Sequence, residues 1–325
     1  MLLAASAAGT SLAAWGLAGC SPSTPQVFEK VVEVTRIVEK TVEVTRIVEK
    51  TVEATQAMEK SEATRENPSP IDLSKIQGKP VTITPTSSPR DSRSGSGLIW
   101  YVDIEHEKVL QDPQQAPGHF RVRDERTRVL GDIAGVPSEY IRYTEVSESL
   151  AKERGVAAIA ISGNVTDWEE YDFKEFQPLF DVIRSGRFPV IGLCGGHQLV
   201  GIAYNANLGP IRRLKPGEAD RGGFAPGWFK EVGYLPVYVV KQDPIFASLG
   251  DYLVVFESHY WEIKELPAEF ELLASTDDCR VQVMRHKEHR IYGTQFHPEV
   301  HTPTQPDGRL LLANFFRLAG ILPPL

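Results

Sequence analysis

The chain has 325 residues, 42% hydrophobic and 24% charged, with a formal net charge of −8 and only three cysteines. A negative balance without a basic patch interleaved with aromatics speaks against nucleic acid as partner, and three cysteines are too few for a disulfide framework. No glycine-rich phosphate loop is present, so neither an ATP site nor any other cofactor is expected.

In chain order, Met1 to Ala18 is an apolar leader that runs into Leu17-Ala-Gly-Cys20. Small residues just before a cysteine, after an apolar stretch of this length, resemble a bacterial lipoprotein signal (residues 1–20), cleaved before Cys20 with lipid attached to its thiol. The basic n-region of such a signal is missing, which fits a start codon assigned too late. A plain signal peptide and an uncleaved anchor are the other two readings. All three place the remainder outside the cytoplasm, and the first holds it at the membrane by the lipid on Cys20.

Residues 21–95 are rich in Val, Glu, Thr, Lys and Arg. They contain the decapeptide Val31-Val-Glu-Val-Thr-Arg-Ile-Val-Glu-Lys40, a near-identical copy over 41–50 and a degraded one over 51–60. Apolar residues recur at mixed spacings, so a coiled-coil stalk and an extended tether are both open. The apolar content is too low for an independent core. From Glu66 to Gly95, Pro, Ser and Gly mark a flexible join.

Residues 96–325 are long enough for one α/β domain. Strands are expected at 97–103, 141–146, 156–161 and 188–191, with helices at 119–135, 147–154 (capped by Ser147) and 167–185 between them. Such alternation predicts a three-layer α/β fold: a mostly parallel central sheet, flanking helices, and ligands at the carboxyl ends of the strands. Past Gly209 the pattern changes to short strands, 230–240 and 252–256 the clearest, as a small antiparallel addition. The Gly- and Pro-rich stretch 212–228 reads as a loop over the site, His286-Lys-Glu-His289 as a solvated hairpin tip, and Asp307 to Gly320 as an amphipathic closing helix.

Two stretches carry chemistry. Phe188-Pro-Val-Ile-Gly-Leu-Cys-Gly-Gly-His-Gln198 places Cys194 on a glycine-flanked turn between a buried strand and a helix. A side chain displayed at so sharp a turn leaves no room for a Cβ two residues away, hence Gly192 and Gly196, and the helix start behind it favours a thiolate. About a hundred residues later, Tyr292-Gly-Thr-Gln-Phe-His-Pro-Glu299 ends a strand-like run in His297 and Glu299. Pro298 disfavours helix there, and residues two apart in extended chain face the same side. Cys194, His297 and Glu299 thus supply a nucleophile, a base, and a group to orient the base. Pro298 also denies His297 and His301 a shared helix face, so no zinc site is expected. Cys279 is left as a buried thiol.

Gly192-Leu-Cys-Gly-Gly-His-Gln198 together with Gln295-Phe-His-Pro-Glu299 resembles the class I glutamine amidotransferase family, over roughly Gly97 to Gly320. The resemblance implies a flavodoxin-like three-layer fold and a Cys-His-Glu triad. It also implies that Gln198 lines a glutamine pocket, and that Glu257-Ser-His-Tyr-Trp261 holds the substrate's amino-acid end, through Ser258 and His259. The family's oxyanion loop commonly reads Ser-Gly-Gly-Pro. Here it is Ser162-Gly-Asn-Val165, which leaves Gly163, with the N–H of Gly195, as the expected oxyanion donors. The expected activity is hydrolysis of glutamine or a γ-glutamyl amide through a thioester on Cys194, without a synthase partner, because no synthase domain is attached and ammonia channelling and ATP-driven acceptors do not suit a location outside the cytoplasm. A surface binding module that has lost turnover and a glutaminase subunit serving a separate synthase are the alternatives.

Overall fold

The structure, a computed structural model, describes residues 97–325. The expected leader with Cys20 and the stalk and linker over 21–95 lie outside the described residues.

Leu98–Asp103 (β1) and Val156–Ile161 (β3) are apolar at nearly every position and pair in parallel. Ser138–Arg142 (β2) flanks β1, and Val190–Leu193 (β4) flanks β3. Ile291–Thr294 (β11) lies beside β4, also parallel, so the nucleophile strand and the strand leading to His297 are neighbours. Alternate side chains feed two cores. Trp100, Val102, Ile159 and Ile161 join the core with Gln177–Ser185 (α4) and Gly195–Ala203 (α5). Ile99, Tyr101, Ala158 and Ala160 join the core with Ala116–Ala134 (α2) and Asp307–Leu318 (α6). Period-two alternation on a sheet covered on both faces gives three layers, as expected.

The antiparallel part is larger than the sequence suggested. Val283–His286 (β10), Phe270–Ser275 (β9), Glu231–Val239 (β6) and Tyr252–His259 (β7) continue the same sheet beyond β11, in the order β2-β1-β3-β4-β11-β10-β9-β6-β7. Leu208–Pro210 (β5) and Trp261–Ile263 (β8) form a separate two-stranded sheet.

Several boundaries move for identifiable reasons. Ser147 caps Glu148–Glu153 (α3) by accepting from the Leu150 N–H at 3.2 Å, as predicted. The short helix Glu107–Gln111 (α1) was not anticipated. The strand expected over 141–146 starts earlier and ends at Arg142, where Tyr143–Glu145 winds into a 3-10 turn and the Arg142 guanidinium donates to the carbonyls of Asp103 and Glu105. The helix expected over 167–185 is broken into 3-10 turns at Trp168–Glu170 and Phe173–Phe176, followed by α4. Asp172 caps the second turn through the Lys174 N–H, and Pro178 suits the first turn of a helix rather than its interior. His286 is buried rather than solvated. Its Nδ1 accepts from the N–H groups of Glu288 and His289 at 3.0 Å, and burial, with His289 and Lys287 nearby, pushes its pKa down to about 4.

Candidate active site

Cys194 stands between β4 and α5 with φ 51° and ψ −108°, outside the regions an L-residue prefers. Such a conformation costs about 1–3 kcal/mol and persists only where the surroundings enforce it. Here the enforcement is visible. The Cys194 N–H donates to the Thr294 carbonyl at 2.8 Å and its own carbonyl accepts from the Gln198 N–H at 3.1 Å. A Cβ on Gly192 would collide with the carbonyl of Gly196, and one on Gly196 with the carbonyl of Ile161 at the end of β3. The two glycines are required by close backbone approach, as the sequence predicted.

From the neighbouring strand, the His297 N–H donates to the Phe256 carbonyl at 2.8 Å, and His297 Nδ1 lies 2.8 Å from Glu299 Oε1. The carboxylate therefore holds the imidazole rather than facing the sulfur itself, a refinement of the expectation that both side chains would point at Cys194. Glu299 is buried, yet His297 beside it holds its carboxyl below the ordinary value. Burial would push the His297 imidazole down, but Cys194 and Glu299 outweigh it and hold the group well above its usual range. The sulfur also meets Gln295 Nε2 at 3.8 Å and the Ser258 carbonyl at 4.0 Å.

Gly163 packs against this pair. A Cβ there would come within 3.1 Å of His297 Cε1, 3.5 Å of Cys194 Cβ and 3.8 Å of the Gly195 nitrogen. Gly195 faces Asn164 just as closely: a Cβ on Gly195 would overlap the Asn164 carboxamide oxygen and stand 3.1 Å from the Asn164 nitrogen. Among the described residues no acceptor takes the N–H of Gly163 or Asn164, and that of Gly195 opens α5, where a helix has no partner of its own to offer. Three backbone donors thus stand without a protein acceptor among the described residues, in segments packed around Cys194 and His297.

Gln198 is buried, and its side chain is fully engaged by the protein. Oε1 accepts from Trp168 Nε1 at 2.7 Å, while Nε2 donates to the Trp261 carbonyl at 3.0 Å and to Gln295 Oε1 at 3.1 Å. It braces Gln295, which in turn touches the sulfur. Trp168 and Trp261 come from distant stretches; Trp261 ends the quoted stretch Glu257-Ser-His-Tyr-Trp261, whereas no local pattern marks Trp168. Phe224, within the stretch 212–228, meets Tyr260 edge-on, so that loop reaches the turn after β7, next to Ser258.

Ser258 and His259 divide. The Ser258 carbonyl faces the nucleophile, whereas the His259 ring turns away into a buried cluster: Nδ1 to the Trp261 carbonyl at 2.9 Å, Nε2 to Glu231 at 2.9 Å and to Glu257 at 3.2 Å. Burial would lower its pKa, but the two carboxylates raise it well above the ordinary value. The donor atoms of Glu231, His259 and Cys279 lie within 4.8 Å of one another. Glu231, however, already accepts from Gln282 Nε2 and Thr276 Oγ1 at 2.6 Å as well as meeting His259, so its carboxyl is committed to protein partners. Cys279 is a buried thiol, as expected.

A sheet that presents a cysteine on a strained turn at a strand's carboxyl end, beside a carboxylate-backed histidine, has the layout of a thiol-dependent acyl-transfer site. The sequence pattern of "Glutamine amidotransferase class-I" matches residues 128–319. The chain belongs to the class-I glutamine amidotransferase family. The glutamine-hydrolyzing GMP synthase subunit of Methanocaldococcus jannaschii is 32% identical over 187 residues, 57% of this chain and 86% of that protein. Its counterpart from Methanopyrus kandleri is 34% identical over 192 residues, 59% and 90%. A solved structure described as a GMP synthase subunit, from Thermoplasma acidophilum, superposes with a TM-score of 0.52 at 25% identity, over 70% of this chain and 96% of that one.

Proposed function

We propose that this chain hydrolyses the side-chain amide of glutamine, or of a related γ-glutamyl compound, through a γ-glutamyl thioester on Cys194. The observation that carries this is the juxtaposition of a strained, glycine-enforced cysteine with the His297–Glu299 pair and with free N–H groups at Gly163, Asn164 and Gly195. The Cys194 thiolate attacks the amide carbon, and the oxyanion accepts hydrogen bonds from those N–H groups. His297 gives its proton to the departing ammonia. It then takes one from the water that attacks the thioester, releasing glutamate, while Glu299 keeps the ring oriented. No step calls for a metal or a cofactor group. An oriented base and a braced sulfur speak against a binding module without turnover.

A second reading follows from the relatives: a glutaminase subunit that hands ammonia to a separate synthase. The relatives are themselves called subunits and are matched over 86% and 90% of their length. The relatives thus count against the expectation that no synthase partner serves the chain. Export of the chain, with lipid on Cys20, is a further proposal resting on the leader sequence alone; cell fractionation and mass spectrometry of Cys20 would decide it.

The test is ammonia release from glutamine and from a panel of γ-glutamyl amides by the full chain, wild type against Cys194→Ala. Turnover that vanishes in the variant supports the reading. Equal background rates from both proteins, with and without ATP and a candidate acceptor synthase, would sink it.

A further inference from the structure

We infer that Glu105 is the positioning residue of the oxyanion loop, an inference that rests on the hydrolytic reading above. Glu105 lies just past the end of β1 and is only 1% exposed. Its Oε2 accepts from the Val165 N–H at 2.7 Å; its Oε1 accepts from Thr166 Oγ1 at 2.7 Å, from the Thr166 N–H at 3.4 Å and from the His106 N–H at 2.9 Å. The Tyr171 hydroxyl adds a weaker contact at 3.5 Å. Among the described residues no lysine or arginine pairs with this carboxylate. A buried charge without a counter-ion is tolerated only where hydrogen bonds replace its water, and here three of the five donors come from the loop that follows Gly163.

The backbone of Glu105 is fixed as firmly as its side chain. Its N–H donates to Asp103 Oδ1 at 3.0 Å and its carbonyl accepts from Arg142 Nη2 at 2.6 Å. Ser162 stitches the two strand ends together, donating its N–H to the Val102 carbonyl at 2.9 Å and accepting the Ile104 N–H on Oγ at 3.0 Å. On this rigid base the carboxylate draws the N–H groups of Val165 and Thr166 to one side. The N–H groups of Asn164 and Gly163, one and two residues before Val165, are not drawn to the carboxylate, and their residues pack against Gly195, Cys194 and His297. Asn164 closes the turn through Nδ2 to the Thr166 carbonyl at 2.6 Å. A proline at position 165, as in the family's usual loop, has no N–H to satisfy. Val165 has one, and Glu105 accepts it. The departure from Ser-Gly-Gly-Pro thus has a compensating residue some sixty positions upstream in the chain.

The experiment compares the full chain with Glu105→Gln, which keeps size and shape but presents an NH2 where one acceptor stood. Three quantities are read: steady-state ammonia release, alkylation of Cys194 by iodoacetamide, and amide hydrogen exchange over 162–166. Oxyanion donors act on the transition state rather than on the bound amide. The expected result is therefore a kcat about ten- to a hundredfold lower, a KM within about threefold, an unchanged alkylation rate, and Val165 and Thr166 amides exchanging at least about tenfold faster. Wild-type kcat in a folded variant overturns the inference. So does a parallel fall in kcat, alkylation and folded-state circular dichroism, which would mark a structural role only. Should the wild type release no ammonia, the hydrolytic reading fails by itself, and hydrogen exchange still decides: unprotected Val165 and Thr166 amides in the wild type would overturn the positioning role.

Discussion

Oε1 of Glu299 lies 2.8 Å from Nδ1 of His297, with only Pro298 between the two residues in sequence. The contact fixes which ring nitrogen keeps its proton once the imidazolium has given the other to the leaving ammonia. Replacing the carboxylate by Glu299→Gln keeps the shape and allows the wrong tautomer. We expect kcat to fall about a hundred- to ten-thousandfold with little change in KM. Steady-state ammonia release measures it, and a loss below tenfold would mean that His297 is oriented by something else.

The buried His259 cluster predicts how stability depends on pH. Its folded-state pKa is raised by Glu231 and Glu257 in spite of burial. The stabilisation is therefore complete below the unfolded value of about 6.5 and is lost as pH rises through the folded one. Glu257 has the same sign: burial raises its pKa, so its ionisation at higher pH works against the fold. Urea unfolding above about pH 7.5, where the unfolded forms of the depressed His197 and His286 are already neutral, should show falling stability. His259→Gln, which leaves two carboxylates facing each other, should cost about 3–5 kcal/mol. Stability that climbs toward alkaline pH would contradict this account.

The glycines of the elbow make a graded set. Gly192→Ala and Gly196→Ala each drive a methyl into a backbone carbonyl, and both should abolish turnover and lower the unfolding midpoint. A methyl added at Gly118, within α2, would meet nothing within 4 Å, so Gly118→Ala should stabilise by up to about 0.5–1 kcal/mol through helix propensity. Thermal unfolding of the three variants checks the ranking.

Gln198→Ala should act at a distance from the substrate. It strands Trp168 Nε1 and Gln295 Oε1, both buried, at about 1–3 kcal/mol for an unsatisfied group, and it frees Gln295 from its brace beside the sulfur. The expected signature is a lower unfolding midpoint together with reduced kcat/KM. An unchanged midpoint would argue that water replaces the lost amide.

What was legible in the sequence follows from how local each constraint is. The glycines around Cys194 and the proline between His297 and Glu299 act over two residues, so motif and mechanism could be read together. The strands β1 and β3 are buried on both faces and show it in composition. Glu105 and Trp168 act on the site across tens of residues, and nothing near them in the chain marks the partner. The helix expected over 167–185 misled because its apolar spacing is real but serves two 3-10 turns and a shorter helix, with Asp172 and Pro178 setting the breaks. His286 misled for the converse reason: a polar stretch at a hairpin end still folds one ring under its own turn.

The pairing of β4 with β11 has a consequence for when the site comes into being. Gln295 and Cys194 touch although 101 positions separate them. On a ribosome adding roughly 5–20 residues per second, the cysteine turn emerges roughly five to twenty seconds ahead of its base. During that interval β11 is missing from its place between β4 and β10, and the thiol has neither His297 nor Gln295 beside it. Turnover by the proposed chemistry is thus a property of finished chains alone, and a nascent or C-terminally clipped molecule carries a cysteine that cannot yet consume glutamine.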